Sequence, residues 1–184
     1  VPLMFTEFGA CFNSEECYNE VTSACDAFDS QLSSWAYWQY KSFGDFTTTG
    51  GTAEGMFNDD GTPQALKVKA ITRTYAYAYQ GTPESSFFSS TSGAYTTTYL
   101  VEDSVTDNTE IYMNPEMWYP NGYKWTVFHA EGGKQMEGTK LALSNDGHDL
   151  IFSFFDILDY NTNRCTILIT PTLQTAKGSV ASSI

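Results

Sequence analysis

A glutamate set inside an apolar strand is the first feature of this sequence that offers chemistry. Thr6-Glu7-Phe8-Gly9-Ala10 closes the apolar run from Leu3 to Ala10. A carboxylate there is costly to bury unless it is paired, hydrogen-bonded or working. At the C-terminal end of a barrel strand, where such folds build their active sites, an acid is a candidate catalytic group. A structural carboxylate capping a loop satisfies the pentapeptide equally well. Further on, Trp35-Ala36-Tyr37-Trp38 places two indoles three residues apart, so they face opposite sides of a strand. One should pack under helices and the other should point into a barrel mouth. An indole face stacks on the C–H face of a pyranose, which makes an exposed rim tryptophan a natural sugar platform. Two core tryptophans are the alternative, but with Glu7 one strand earlier the platform reading is preferred.

The other polar groups carry weaker signals. Asp59-Asp60-Gly61 lacks the spacing of a calcium loop and reads as a turn. His129 and His148 have no acid or cysteine at metal-ligand spacing, so no metal and no cofactor are expected. Cys11 and Cys17 lie close together in a Gly/Asn/Ser loop and are expected to form a disulfide, which favours an oxidising compartment. Whether Cys25 joins Cys165 stays open. Met117-Trp118-Tyr119 and Tyr123-Lys124-Trp125 read as core, with a lipid- or sugar-facing patch as the alternative.

The elements that must position these groups can be read from periodicity. Leu3–Ala10 reads as a buried parallel strand. Glu15–Ser30 reads as a helix capped by Ser14, with acids in its first turn and Val21, Cys25 and Phe28 inward. Leu32–Tyr40 reads as a second strand and 41–63 as a long loop. Gln64–Gln80 reads as a second helix with Leu66, Val68, Ile71 and Tyr75 inward, stopped by Gly81. Beyond Pro83, short aromatic and β-branched runs recur between turn residues: Ala94–Glu102, Thr109–Asn114, Tyr123–Ala130, Lys140–Ser144, Leu150–Asp156 and Cys165–Thr172. That spacing predicts a β-sandwich. The expected organisation is therefore an α/β part over 1–81, a β-sandwich over 82–176 and a flexible tail over 177–184.

Composition bounds the partners. The chain is 41% hydrophobic and 16% aromatic but only 17% charged, which suits a packed core and β structure. A net charge of −13, spread over both halves, argues against nucleic acid and against electrostatic attachment to anionic lipid. It reads as the solubilising surface of a secreted or lysosomal protein. The opening residues lack the charged region of a signal peptide, and no apolar run approaches a membrane span.

Phe5-Thr6-Glu7-Phe8-Gly9-Ala10, Ala27-Phe28-Asp29, Ser34-Trp35-Ala36-Tyr37-Trp38-Gln39-Tyr40-Lys41 and Gly44-Asp45-Phe46-Thr47-Thr48-Thr49-Gly50 resemble the last two strand–helix units of glycoside hydrolase family five, the endoglycoceramidases above all. The similarity continues through Glu54-Gly55-Met56-Phe57, Arg73-Thr74-Tyr75-Ala76 and Tyr119-Pro120-Asn121-Gly122-Tyr123. The resemblance implies the end of a (β/α)8 TIM barrel followed by a C-terminal β-sandwich. It implies that Glu7 is the nucleophile of a retaining β-glycosidase and that Trp38 lines the subsite beside the scissile bond. Lys41 and Asp45, on the loop after that strand, would border the glycan. The implied substrate is a glycosphingolipid cut between glycan and ceramide, with transient membrane-surface contact.

The sequence also departs from that pattern. The family's acid/base glutamate follows an asparagine, and Asn19-Glu20, the one such pair here, falls inside the first helix. The expected partner is therefore an N-terminal chain of the same precursor that carries the missing carboxylate and the other strands. A truncated piece of a longer protein is one alternative. A catalytically inactive, hydrolase-like binding or structural subunit of an extracellular assembly is another.

Overall fold

A computed structural model describes residues 3–129, 140–144, 147–153 and 164–173. The expected tail and the ends of two expected strands, beyond His129 and beyond Ser153, lie outside the described residues.

The first part alternates strand and helix. Strand β1 (Met4–Gly9) leads into helix α1 (Glu15–Ser30), which returns the chain to strand β2 (Ser34–Trp38). Ser14 caps α1 by accepting from the Cys17 backbone N–H, and Glu15 and Glu16 sit at the positive end of its dipole. β1 and β2 pair in parallel as a two-stranded sheet. The described residues thus hold two parallel strands and no closed barrel, because two strands cannot close one. The connection beyond β2 carries a short 3₁₀ turn at Phe46–Thr48 and the four-residue helix α2 (Gly51–Glu54). Helix α3 (Ala65–Ile71) then packs on α1 around Cys17, Val21, Cys25 and Ala70.

The expected helix over 64–80 stops at Ile71, and Tyr75–Ala78 is strand β3. Tyr-Ala-Tyr-Ala alternates with the period of a strand, Tyr75 and Tyr77 outward, and pairs with β6 (Thr109–Tyr112). The inward face of α3 is also not the expected one: Lys67 and Ala70 are its buried residues, while Leu66, Val68 and Ile71 are half-buried. Strand β4 (Gly81–Phe88) had no expectation because Pro83 breaks its pattern. It is an edge strand, where a residue lacking an N–H is tolerated.

β4 pairs with β5 (Tyr95–Val101), β5 with β10 (Arg164–Pro171), and β10 with β7 (Tyr123–His129). The second sheet runs β3, β6, β9 (Asp149–Ser153), β8 (Lys140–Leu143). Between the sheets lie Phe88, Tyr95, Tyr99, Val101, Ile111, Leu150, Phe152, Cys165, Ile167 and Ile169. The buried tyrosines keep their hydroxyls satisfied: Tyr95 accepts from the Ala76 N–H at 3.0 Å and Tyr99 from Thr109 Oγ1 at 2.8 Å. Cys25 and Cys165 are both free and buried, one in the helical core and one in the sandwich core.

Arg73 joins the two parts. It is 2% exposed, donates to Asp29 Oδ2 at 2.9 Å and to Asp26 Oδ1, and reaches the Phe88 carbonyl of β4 at 3.3 Å. The short helix α4 (Pro115–Trp118) closes the junction, with the Trp118 indole donating to the Thr72 carbonyl at 2.6 Å. Trp118 and Tyr119 are buried, as the core reading of that aromatic cluster expects.

Candidate functional site at the strand ends

The β1–β2 pairing decides which side chains share a face. Phe5 and Phe8 both pack on Phe28 of α1, with ring centroids 4.2 and 5.1 Å away. Trp35 and Tyr37 meet Phe8 edge-on at 5.4 and 5.6 Å, so they too face the helix. Phe5 pairs with Trp35 and Phe8 with Tyr37, leaving Thr6 and Glu7 together opposite Ala36 in a bulge. Those three, and Trp38 after Tyr37, fall on the face away from α1. The two tryptophans divide as their spacing predicts.

Glu7 is exposed, and no described side chain hydrogen-bonds or pairs with its carboxylate. Gly9, opposite Trp38 in register, ends the strand at φ 134°. A Cβ there would stand 2.6 Å from the Trp38 carbonyl oxygen and 2.7 Å from the Tyr37 ring, so glycine permits this close approach of the strands. The Cys11–Cys17 disulfide, with Cα atoms 5.5 Å apart, ties the chain beyond β1 to the first turn of α1.

Trp38 is half-buried, and its indole Nε1 donates to Glu54 Oε2 at 3.1 Å. The peptide bond after it is cis. Gln39 turns inward, and its Nε2 donates to the same Glu54 oxygen at 3.1 Å and to the Thr48 carbonyl at 3.4 Å. Burial, with the Glu54 charge adding to it, pushes the Tyr37 hydroxyl up to about 12. Glu54 closes α2, which is fastened from below. Lys67 is fully buried and donates to the carbonyls of Thr52, Ala53 and Gly55 at 3.0, 3.1 and 3.0 Å. Burial also pulls its ammonium below the usual lysine range. Gln64 Nε2 donates to the carbonyls of Thr52 and Phe57. Sequence reading assigned no role to Glu54, Lys67, Gln64 or Gln39. An acid in a Gly/Thr loop and a lysine on a short helix ordinarily read as solvated groups.

Lys41 lines an open groove of about 420 Å³ with Tyr40, Ser42, Thr52, Phe57 and Asn58, its ammonium 5.3 Å from the Phe43 ring centroid. Asp45 is not among the groove's lining residues. Its Oδ1 caps the 3₁₀ turn, accepting from the backbone N–H groups of Thr47 and Thr48 at 2.8 and 3.0 Å. The Thr47 hydroxyl and these N–H groups hold its carboxyl below the usual range. Asp59 and Asp60 sit in a turn as expected, and no metal-holding cluster of His, Cys, Asp or Glu occurs among the described residues.

Chemically, the strand ends offer a free carboxylate and an anchored indole on the same face, with an open groove lined by Tyr40 and Lys41 just beyond that indole in the chain. Residues 73–153 match the glycoside hydrolase family 5 C-terminal domain. The chain is 30% identical over 125 residues to an endoglycoceramidase of Hydra vulgaris, a match covering 67% of this chain and 22% of that protein. It shares the fold of endo-glycoceramidase II from Rhodococcus sp. in its lactosyl-enzyme intermediate, with a TM-score of 0.67 and 19% identity over 94% of this chain and 34% of that one. Sterylglucosidase 1 of Cryptococcus neoformans superposes with a TM-score of 0.62 at 15% identity, over 91% of this chain and 28% of that one. The chain thus spans about a fifth to a third of the length of these relatives.

Proposed function

We propose, for a chain that carries a glycoside hydrolase family 5 C-terminal domain and resembles endoglycoceramidase, that it supplies the nucleophile side of a retaining β-glycosidase acting on glycosphingolipids. In this reading the chain up to Thr74 is the end of a (β/α)8 barrel, the β-sandwich begins at β3 rather than at residue 82 because β3 pairs with β6, and an N-terminal portion of the same precursor completes the barrel. The observation that supports it best is that Glu7 and Trp38 emerge on one face at adjacent strand ends, opposite the helix. In a closed barrel that face is the lumen, and those ends are where barrel enzymes do chemistry.

Glu7 would attack the anomeric carbon while a second carboxyl, about 5–5.5 Å away, protonates the departing ceramide oxygen. The glycosyl-enzyme is then hydrolysed with the second group acting as base. Trp38 would stack on the sugar beside the scissile bond, Lys41 would contact the glycan from the groove, and Asp45 enters through the loop that it orders. The Cys11–Cys17 disulfide suits a secreted protein.

A specific observation favours a second reading, a hydrolase-derived binding or structural subunit without catalysis. The carboxylate anchored beside Trp38, Glu54, has its Oε2 engaged by two donors that tie it to the indole, which leaves catalysis dependent on a carboxyl from outside this chain. On this chain alone no hydrolysis is expected. The experiment is Glu7→Gln in the complete protein, assayed on lactosylceramide micelles. The first reading expects turnover to vanish with the fold intact. Retained turnover sinks Glu7 as nucleophile, and a wild-type protein that binds glycan but never turns over selects the second reading.

A further inference from the structure

We propose that Glu54 is the positioning residue for Trp38, and that Lys67 and Gly50 fix Glu54 in that task; this rests on the reading of Trp38 as the pyranose platform. Trp38 is the last residue of β2, on the face away from α1, so helix packing does not set its ring. An indole in that setting keeps one orientation only if its N–H is bound, and stacking on a sugar requires one orientation. Glu54 Oε2 supplies that bond and is itself held by Gln39, a residue only 5% exposed.

Glu54 needs external support. α2 has four residues and no side-chain cap, far too short to persist alone. Lys67 supplies the support at unusual cost, since its buried ammonium finds only three carbonyls, those of Thr52, Ala53 and Gly55. An ammonium has three protons, and all three are matched. Moving the turn would strand that charge, so the turn stays. Gly50 completes the arrangement: a Cβ at this position would occupy the space of the Glu54 carboxylate. Its φ of −62° suits any residue, so it is space and not backbone conformation that calls for glycine.

The test uses the complete protein with indole-¹⁵N tryptophan, Trp38→Phe identifying the Trp38 resonance. In Glu54→Leu and Gly50→Ala the Trp38 indole N–H should exchange with solvent deuterium at least about 10-fold faster, the loss of one hydrogen bond to a charged group. With lactosylceramide, kcat/KM should fall about 10-fold or more in both variants. Glu54→Gln, which keeps an acceptor oxygen, should recover most of the loss. In a Trp38→Phe background, Glu54→Leu should cost little further, whereas a merely structural role would cost the same in both backgrounds. Unchanged indole exchange in Glu54→Leu, or equal losses in the two backgrounds, overturns the proposal. If Trp38→Ala leaves kcat/KM intact, the platform reading fails, and indole exchange still decides whether Glu54 holds the ring.

Discussion

Replacing Arg73 by methionine should loosen the junction between the helical part and the sandwich. Arg73 is 2% exposed, and its two carboxylate partners differ: Asp29 is 14% exposed and Asp26 is 42% exposed. The Asp26 contact is solvent-screened and worth under about 1 kcal/mol. The Asp29 contact is largely buried, and removing one partner of a buried pair costs up to about 3–5 kcal/mol because the other charge stays in low dielectric. The bond to the Phe88 carbonyl and the guanidinium's place 5.1 Å from the Phe88 ring add to the loss. A net destabilisation of about 3–5 kcal/mol is therefore expected, read as a lower urea midpoint. The pH dependence supplies a second check. Burial raises the Asp29 carboxyl while Arg73 opposes that rise. Without Arg73 its pKa climbs further above the unfolded value, and an acid so raised favours the fold when protonated. The deficit should therefore shrink as pH falls below the folded pKa of Asp29 and be full once pH exceeds it. A loss below about 1 kcal/mol, or one that does not shrink on acidification, would refute the assignment of Asp29 as the buried partner.

Alkaline solution should unfold the protein from its cores. The Cys25, Cys165 and Tyr119 acids are pushed up to about 12, burial being the main cause in each. Their stabilisation is complete below the unfolded thiol and phenol values and is lost as pH rises through about 9 towards 12, which urea midpoints at stepped pH would trace. Replacing Cys11 and Cys17 together by serine should cost about 2 kcal/mol, given their short loop, with a matching fall in Tm. Gly9→Ala should lower Tm by several degrees, since the new Cβ meets the Trp38 carbonyl at 2.6 Å and φ is 134°. An unchanged Tm would mean the strand ends separate at little cost.

The legible features were those carried by local periodicity and capping. Helix α1 runs over Glu15–Ser30 as read, because Ser14, two acids and an apolar stripe all point to the same element. Strands β5, β6, β7 and β10 lie where alternation placed them, within a residue or two. The helix expected to reach Gln80 failed where two periods compete. Ile71 and Tyr75 stand at helical spacing, but Tyr75, Ala76, Tyr77 and Ala78 also alternate, and pairing with β6 decided the matter. The division of Trp35 and Trp38 between two faces was legible because it follows from strand geometry alone. The Glu54–Gln39–Lys67 cluster was not, since its members are spread over 39–67 and meet only through tertiary folding.

That cluster also explains why the connection after β2 can carry function at all. Residues 39–64 contribute almost nothing to either hydrophobic core, so apolar burial does not hold them. Their order comes instead from polar anchors: Gln39 and Tyr40 exchange backbone bonds with Glu54 and Met56, Gln64 reaches two carbonyls, and Lys67 reaches three. Polar anchors are directional, so they fix position more sharply than apolar contact does, at the cost of tolerating fewer substitutions. Groups that must face a ligand cannot be buried to be held, and a buried lysine beneath the loop solves that conflict by placing the expensive desolvation away from the surface that Trp38 and Lys41 present.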